Sequence, residues 1–199
     1  VTGSAVQTPA GLKQTGTSVT VSAADTKVIV SLTGLIAKTS YVVWLVAEDG
    51  SGNLGSAATK IDLQTPDATA PTLTAVSVSG LTATTASVRA TLSEAGTLYY
   101  VVLEGTGGAA ANTAVRDHVE SNTAISGQTV VAKGKIHPAI ANALSTASVS
   151  GLRDGTDYTL VMTGKDDAGN LATGKADNFK TTVDAAAPSF VAGYPKINA

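Results

Sequence analysis

Residues 34–71 recur as residues 151–188, without a gap, at an offset of 117 residues. Thirteen of the 38 aligned positions are identical, among them Gly34/Gly151, Leu35/Leu152, Thr39/Thr156, Tyr41/Tyr158, Asp49/Asp166, Gly52/Gly169, Asn53/Asn170, Leu54/Leu171, Asp67/Asp184 and Pro71/Pro188. Self-similarity at a fixed period means that one structural unit is used more than once. The identities fall at turn and anchor residues, so a way of folding the chain is repeated, not merely a composition. A chain of 199 residues has room for one large domain or two small ones. The repeat selects modules.

The repeated unit reads as strands. Residues 41–48 are β-rich and alternate, the turn Asp49-Gly50-Ser51-Gly52-Asn53 follows, and residues 57–65 return. Residues 158–165, the turn 166–170 and residues 173–182 repeat this. Two β-rich runs joined by a short Asp/Gly/Asn loop predict a hairpin. Upstream of the second copy, residues 72–78, 85–92, 97–103, 128–132 and 146–150 read as further strands, and Val115 and Val119 at i, i+4 predict one short helix over 113–121. The run Ser87-Val88-Arg89-Ala90-Thr91-Leu92 alternates as a half-buried strand does. About seven short strands with turns between them predict a sandwich, and no βαβ alternation competes with it.

The expected fold class is therefore all-β, with tandem antiparallel β-sandwiches. Residues 1–66 form a first module, either truncated or small and complete; 67–71 a linker; 72–183 a complete module; and 184–199 a linker and the first strand of a following module. Residue 1 is Val, and no basic-then-apolar leader precedes it. Together with the repeat, this reads as a fragment of a multi-module array.

Composition removes other classes. With 13 basic against 15 acidic residues the chain has a net charge of −2, which argues against a nucleic-acid surface. Without Cys there are no disulfides, thiolate zinc sites or Cys nucleophiles. No apolar run approaches the ~18 residues of a membrane span. Gly, Ala and Thr supply 82 residues, and only 14% of the chain is charged while 43% is apolar, a balance that fits a folded, secreted bacterial β-protein rather than disorder.

Two features carry a family resemblance. Leu35-x-x-x-Thr39-x-Tyr41, repeated as Leu152-x-x-x-Thr156-x-Tyr158, has the spacing of a tyrosine corner. The segment Ser93-Glu94-Ala95-Gly96-Thr97-Leu98-Tyr99-Tyr100-Val101-Val102-Leu103 is followed much later by the D-x-x-G-N turn. Together these resemble the fibronectin type III-like (Ig-like) repeats of bacterial surface-layer and cell-wall proteins. The resemblance covers residues 34–199 well and 1–33 poorly. It implies a structural role in lattice building, spacing and adhesion at the cell surface, with neighbouring modules and other copies as partners. It further implies calcium used in assembly, and wall polymer reached through separate domains.

Candidate metal ligands follow from where the loops of a sandwich meet. The linker enters a seven-strand sandwich at the pole of the B–C and F–G loops. That pole would gather Asp67, Glu94, Asp166 and Asp167 with the amide of Asn170. Calcium takes 6–8 oxygen ligands of these kinds. The competing reading is local: Asp and Asn before Gly are ordinary turn residues, and the spacing is not that of an EF-hand loop.

Other chemistry is poorly supported. Glu104-Gly105-Thr106-Gly107-Gly108 lacks the third glycine and the Lys-Ser/Thr of a phosphate loop. His118 and His137 lie 19 residues apart without further ligands nearby. No G-x-S-x-G elbow is present, and one Trp, two Phe and five Tyr argue against a sugar-cleaving cleft. Trp44, aligned with Val161, reads as a packing residue, and one of the adjacent Tyr99 and Tyr100 is expected to face out toward a neighbouring module. The expected function is a non-enzymatic structural module of a secreted surface-layer protein. The alternatives are an adhesin or carbohydrate-binding module presenting loops 104–112 and 133–144, or a spacer in a secreted hydrolase.

Overall fold

The computed structural model describes residues 8–11, 17–23 and 25–186. Two compact units divide the chain, 1–69 and 70–199. The expected strand of a following module falls on residues from 187 onward, including Tyr194 and Pro195, outside the described residues.

In the first unit, β1 (Ser40–Leu45) and β2 (Thr59–Gln64) form a two-stranded antiparallel sheet. Tyr41 lies opposite Leu63, Val43 opposite Ile61 and Trp44 opposite Lys60. Trp44 is half-buried. The Tyr41 hydroxyl accepts the Ile36 N–H at 2.8 Å, a tyrosine corner as its spacing predicts.

Among its described residues the second unit holds seven strands and one helix: β3 (Leu73–Ser79), β4 (Thr85–Leu92), β5 (Gly96–Glu104), α1 (Asn112–Ser121), β6 (Val130–Ala139), β7 (Leu144–Ser150), β8 (Asp157–Asp166) and β9 (Lys175–Lys180). The sheets run β3-β4-β7 and β6-β5-β8-β9, and every pairing is antiparallel. This is a three-on-four β-sandwich of the Ig and fibronectin III kind. Its core gathers Ala86, Val88, Ala90 and Leu92 from β4 with Leu98, Tyr100, Tyr158, Leu160, Met162 and Phe179 from the facing sheet. β4 alternates because only one of its faces is buried.

β5 and β8 do not alternate: nearly all their residues are buried. The outer face of the four-stranded sheet is covered by α1, where Val115 packs with Tyr99, Val101, Leu103, Ile125 and Val161 in a second apolar cluster. The helix ends where Asn122 takes a left-handed φ of 56° and its N–H bonds the His118 carbonyl. Tyr99 and Tyr100 do point to opposite faces, but both are buried. The outward Tyr99 meets the unit's own helix, donating its hydroxyl to Glu120 Oε1 at 2.5 Å, so the expectation that it faces a neighbouring module is corrected. β6 extends to Ala139, so most of the expected loop 133–144 is strand.

The repeat is accurate in three dimensions with one revision. Gly55 N–H bonds Ala47 O and Ala172 N–H bonds Gly164 O, still 117 apart. In the return strands, however, Leu63 faces Tyr41 whereas Phe179 faces Tyr158, an offset of 116. The second copy is one residue shorter between Leu171 and β9. A gapless alignment therefore places β9 on the wrong face, since a one-residue slip inverts a strand. The structural match of Thr65 is Thr181: each hydroxyl donates to the carbonyl of Ile36 or Arg153, and each accepts the N–H of Thr39 or Thr156 at 3.0 Å.

Candidate functional site

The expected site residues sit at turns whose geometry is set by backbone pairing. In the second unit, Gly96 begins β5 directly opposite Asp166, the last residue of β8. No other residue fits there, because a Cβ on Gly96 would lie 2.0 Å from the Lys165 carbonyl oxygen. This close approach brings the β4–β5 turn, with Ser93 and Glu94, beside the β8–β9 loop. Thr72, at the start of the unit, is tied to the same turn: its N–H donates to Ser93 Oγ at 2.8 Å, and Ser93 N–H donates to its carbonyl at 3.0 Å. Glu94 and Asp166 then present carboxylate oxygens within 4.8 Å of one another.

Asp166 is 5% exposed and is the anchor of its loop. Oδ1 accepts the Asn170 N–H and Oδ2 the Asn170 Nδ2, each at 2.8 Å. The Gly169 N–H closes onto the Asp166 carbonyl, and Gly169 takes a φ of 99° that suits glycine. Asp167 is exposed in the middle of this loop. The first unit repeats the seal bond for bond. Asp49 Oδ1 accepts Asn53 N–H at 2.8 Å, Oδ2 accepts Asn53 Nδ2 at 2.8 Å, and Gly52 N–H bonds the Asp49 carbonyl. Hydrogen bonds from the Asn53 side chain and backbone hold the Asp49 carboxyl below its ordinary range. The D-x-x-G-N motif is thus a self-sealed turn wherever it occurs. The second unit adds the Glu94 carboxylate.

Asp67 lies at the end of the first unit, where its Oδ2 pairs with Lys38 Nζ at 2.8 Å and its Oδ1 accepts the Thr69 N–H at 3.0 Å. The Lys38 bond, then the Thr69 bond, lower its pKa. Asp184 repeats the turn by accepting the Ala186 N–H at 2.9 Å. Position 155, aligned with Lys38, is Gly.

Within the second unit, then, the structure brings Glu94, Asp166 and Asn170 together and leaves Asp167 at the surface. Asp166 accepts one bond on each oxygen, so one lone pair on each remains. Two carboxylates this close repel unless a cation or proton lies with them. An oxygen-seeking divalent cation fits that donor chemistry, whereas the Asn170 amide nitrogen is committed to Asp166.

The remaining sequence candidates are engaged in the scaffold. Gly107 N–H donates to Asn178 Oδ1 and Gly108 N–H to Thr159 Oγ1 at 3.1 Å, so the glycine-rich loop spends these donors on β8 and β9. His118 bonds the Thr123 carbonyl, and His137 Nδ1 lies 2.9 Å from Thr97 Oγ1. They occupy separate elements, α1 and β6. One polar group was missed in the sequence: Glu120 takes the Tyr99 hydroxyl, with Lys165 Nζ at 3.5 Å from the same oxygen and 5.6 Å above the Tyr99 ring. The Tyr99 bond is the largest cause lowering the Glu120 pKa, and burial is the largest raising that of Tyr99. No helix among the described residues is long and apolar enough to cross a membrane.

No model of a known protein family matches the chain, and no curated protein matches it. Several solved structures are similar. Domains d3–d4 of the rat CD45 extracellular region match with a TM-score of 0.43 and 15% identity, over 83% of this chain and 76% of that one. Domains FN1–FN3 of chicken CNTN1 match with a TM-score of 0.39 and 15% identity, over 75% of this chain and 45% of that one. The sensor domain of the anti-sigma factor RsgI4 of Pseudobacteroides cellulosolvens matches with a TM-score of 0.35 and 15% identity, over 59% of this chain and 99% of that one.

Proposed function

We propose that this chain is a non-catalytic structural segment of a secreted bacterial cell-surface protein, a surface layer, whose modules assemble and space an array. Calcium bound by the loops of the second unit stiffens the segment in this reading. The supporting observation is the tandem use of one sealed hairpin. Tyr41 and Tyr158 make the same corner, and Asp49 and Asp166 the same loop seal. A chain that repeats a scaffold element and ties its loops to their own backbone is built to hold shape. The partners are neighbouring modules and other copies, with wall polymer reached through other domains. Low charge and the edge strands β3, β6, β7 and β9 favour such self-association.

Calcium would be held by Glu94 and Asp166, with Asp167 and Asn170 as further oxygen donors. It would supply charge neutralisation and a rigid cross-link between loops. Two measurements test the reading: melting of the chain with calcium against chelator, and electron microscopy of the purified chain under both conditions. A calcium-dependent rise in melting temperature and ordered two-dimensional sheets are expected. An unchanged melting curve at millimolar calcium removes the metal. Glycan binding without ordered assembly replaces the array with an adhesin.

A further inference from the structure

We propose that residues 18–22 and 28–33 are a strap that closes over the apolar face of β1 and β2, pairing as a second sheet and making the first unit a small complete sandwich. In this structure the two segments form no strand. Their pattern nevertheless follows a strand that does this work elsewhere in the chain.

In the second unit, the residues just before Gly151 are β7, and its inward Ala147 and Val149 join the core that covers Tyr158, Leu160 and Met162. Carried back 117 positions, Ala147 and Val149 become Val30 and Leu32, while the outward Thr146 and Ser148 become Ile29 and Ser31. Exposure already alternates accordingly: Val28 38%, Ile29 90%, Val30 53% and Leu32 49%. The face to be covered is the counterpart of Tyr158, Leu160 and Met162, namely Tyr41, Val43 and Leu45. It leaves Leu45 49% and Ile61 43% exposed.

Residues 18–22 read Ser-Val-Thr-Val-Ser, a second alternating run, with Val19 and Val21 exposed. In the connection between the runs, Asp25 holds a left-handed φ of 55°, the conformation that short hairpin turns require. An isolated two-stranded hairpin is marginal in water, so both apolar surfaces gain by closing on each other. The occupant is this chain's own segment rather than a second copy. The Tyr41–Ile36 bond pins the strap's end beside β1, and such a tether gives an effective concentration on the order of millimolar or more.

The absence of Cys makes introduced thiols unique. In the full chain, the pair Val30→Cys and Val43→Cys is oxidised beside the control pair Ile29→Cys and Val43→Cys. The strap predicts an intramolecular disulfide in the first pair and not in the second. Equal cross-linking of both pairs, no cross-link, or a cross-link only between copies overturns it. A second measurement covers folding failure. Amide exchange of β1 and β2 should quicken at least about tenfold in Val30→Asp and stay unchanged in Ile29→Asp, with β8 and β9 as internal controls. No difference between those variants also overturns the proposal.

Discussion

The Tyr158 hydroxyl accepts the Arg153 backbone N–H at 2.8 Å while its ring stacks on Phe179 with centroids 5.5 Å apart. One side chain thus fixes the chain's entry into β8 and fills the sandwich core. The same bond, Tyr41 to Ile36 at 2.8 Å, marks the entry into β1.

Tyr158→Phe keeps the ring and orphans the Arg153 N–H. The bond is part-buried, so its loss costs about 0.5–1.5 kcal/mol. Denaturant unfolding of the second unit should show that loss, and Tyr41→Phe should cost less because its surroundings are more open. Equal, negligible losses would mean that the corner is ornamental.

Gly96→Ala places a methyl 2.0 Å from the Lys165 carbonyl oxygen. Relief requires β5 and β8 to separate at the pole that holds Glu94 and Asp166, so a destabilisation of about 3 kcal/mol or more is expected. Exchange protection should fall first at Thr97 and Lys165. Wild-type stability would contradict the packing.

Glu120→Gln tests the polar cluster under α1. The Glu120 pKa is lowered in the fold, chiefly by the Tyr99 hydroxyl. Its stabilisation is therefore present above the unfolded carboxyl value of about 4.3. It is lost as pH falls through the lower folded value. Melting temperature measured between neutral and acid pH should fall less steeply in the variant than in the parent. Identical slopes would remove Glu120 from the acid response.

Glu94→Gln and Asp166→Asn separate a metal role from a turn role. If calcium binds with a dissociation constant of ~0.1 mM, as extracellular sites do, 1 mM stabilises by about 1.4 kcal/mol. Calorimetry should find that increment abolished in both variants. Without calcium, Asp166→Asn should weaken the loop seal, because Asp166 carries both bonds to Asn170. A calcium effect that survives in both variants would place the ion elsewhere.

The strands of the second unit were legible because each follows a local rule. β4 alternates over its expected span, the D-x-x-G-N turn caps itself, and α1 shows its Val115 and Val119 stripe. Burial in β5 and β8 does not alternate, for a different reason. Their second face is buried by α1, and a helix packed on a distant strand leaves no period in that strand. The slip between Leu171 and β9 was hidden because Asp67/Asp184 and Pro71/Pro188 restore the 117-residue offset. A gapless alignment therefore runs through the return strand.

For the candidate site, turn chemistry is encoded in four or five adjacent residues, so Asp166 and Asn170 could be read directly. The nearness of Glu94 could only be anticipated from fold analogy, since 72 positions separate it from Asp166. The sequence by itself determined the repeated hairpin, the tyrosine corners and the self-sealed loops. Their hydrogen bonds close within a few residues and need no distant partner. Only the tertiary structure decided that Tyr99 faces Glu120 and that β9 sits one residue out of register. It alone also shows that Gly96 lets Glu94 and Asp166 meet, since these depend on backbones brought together across long loops.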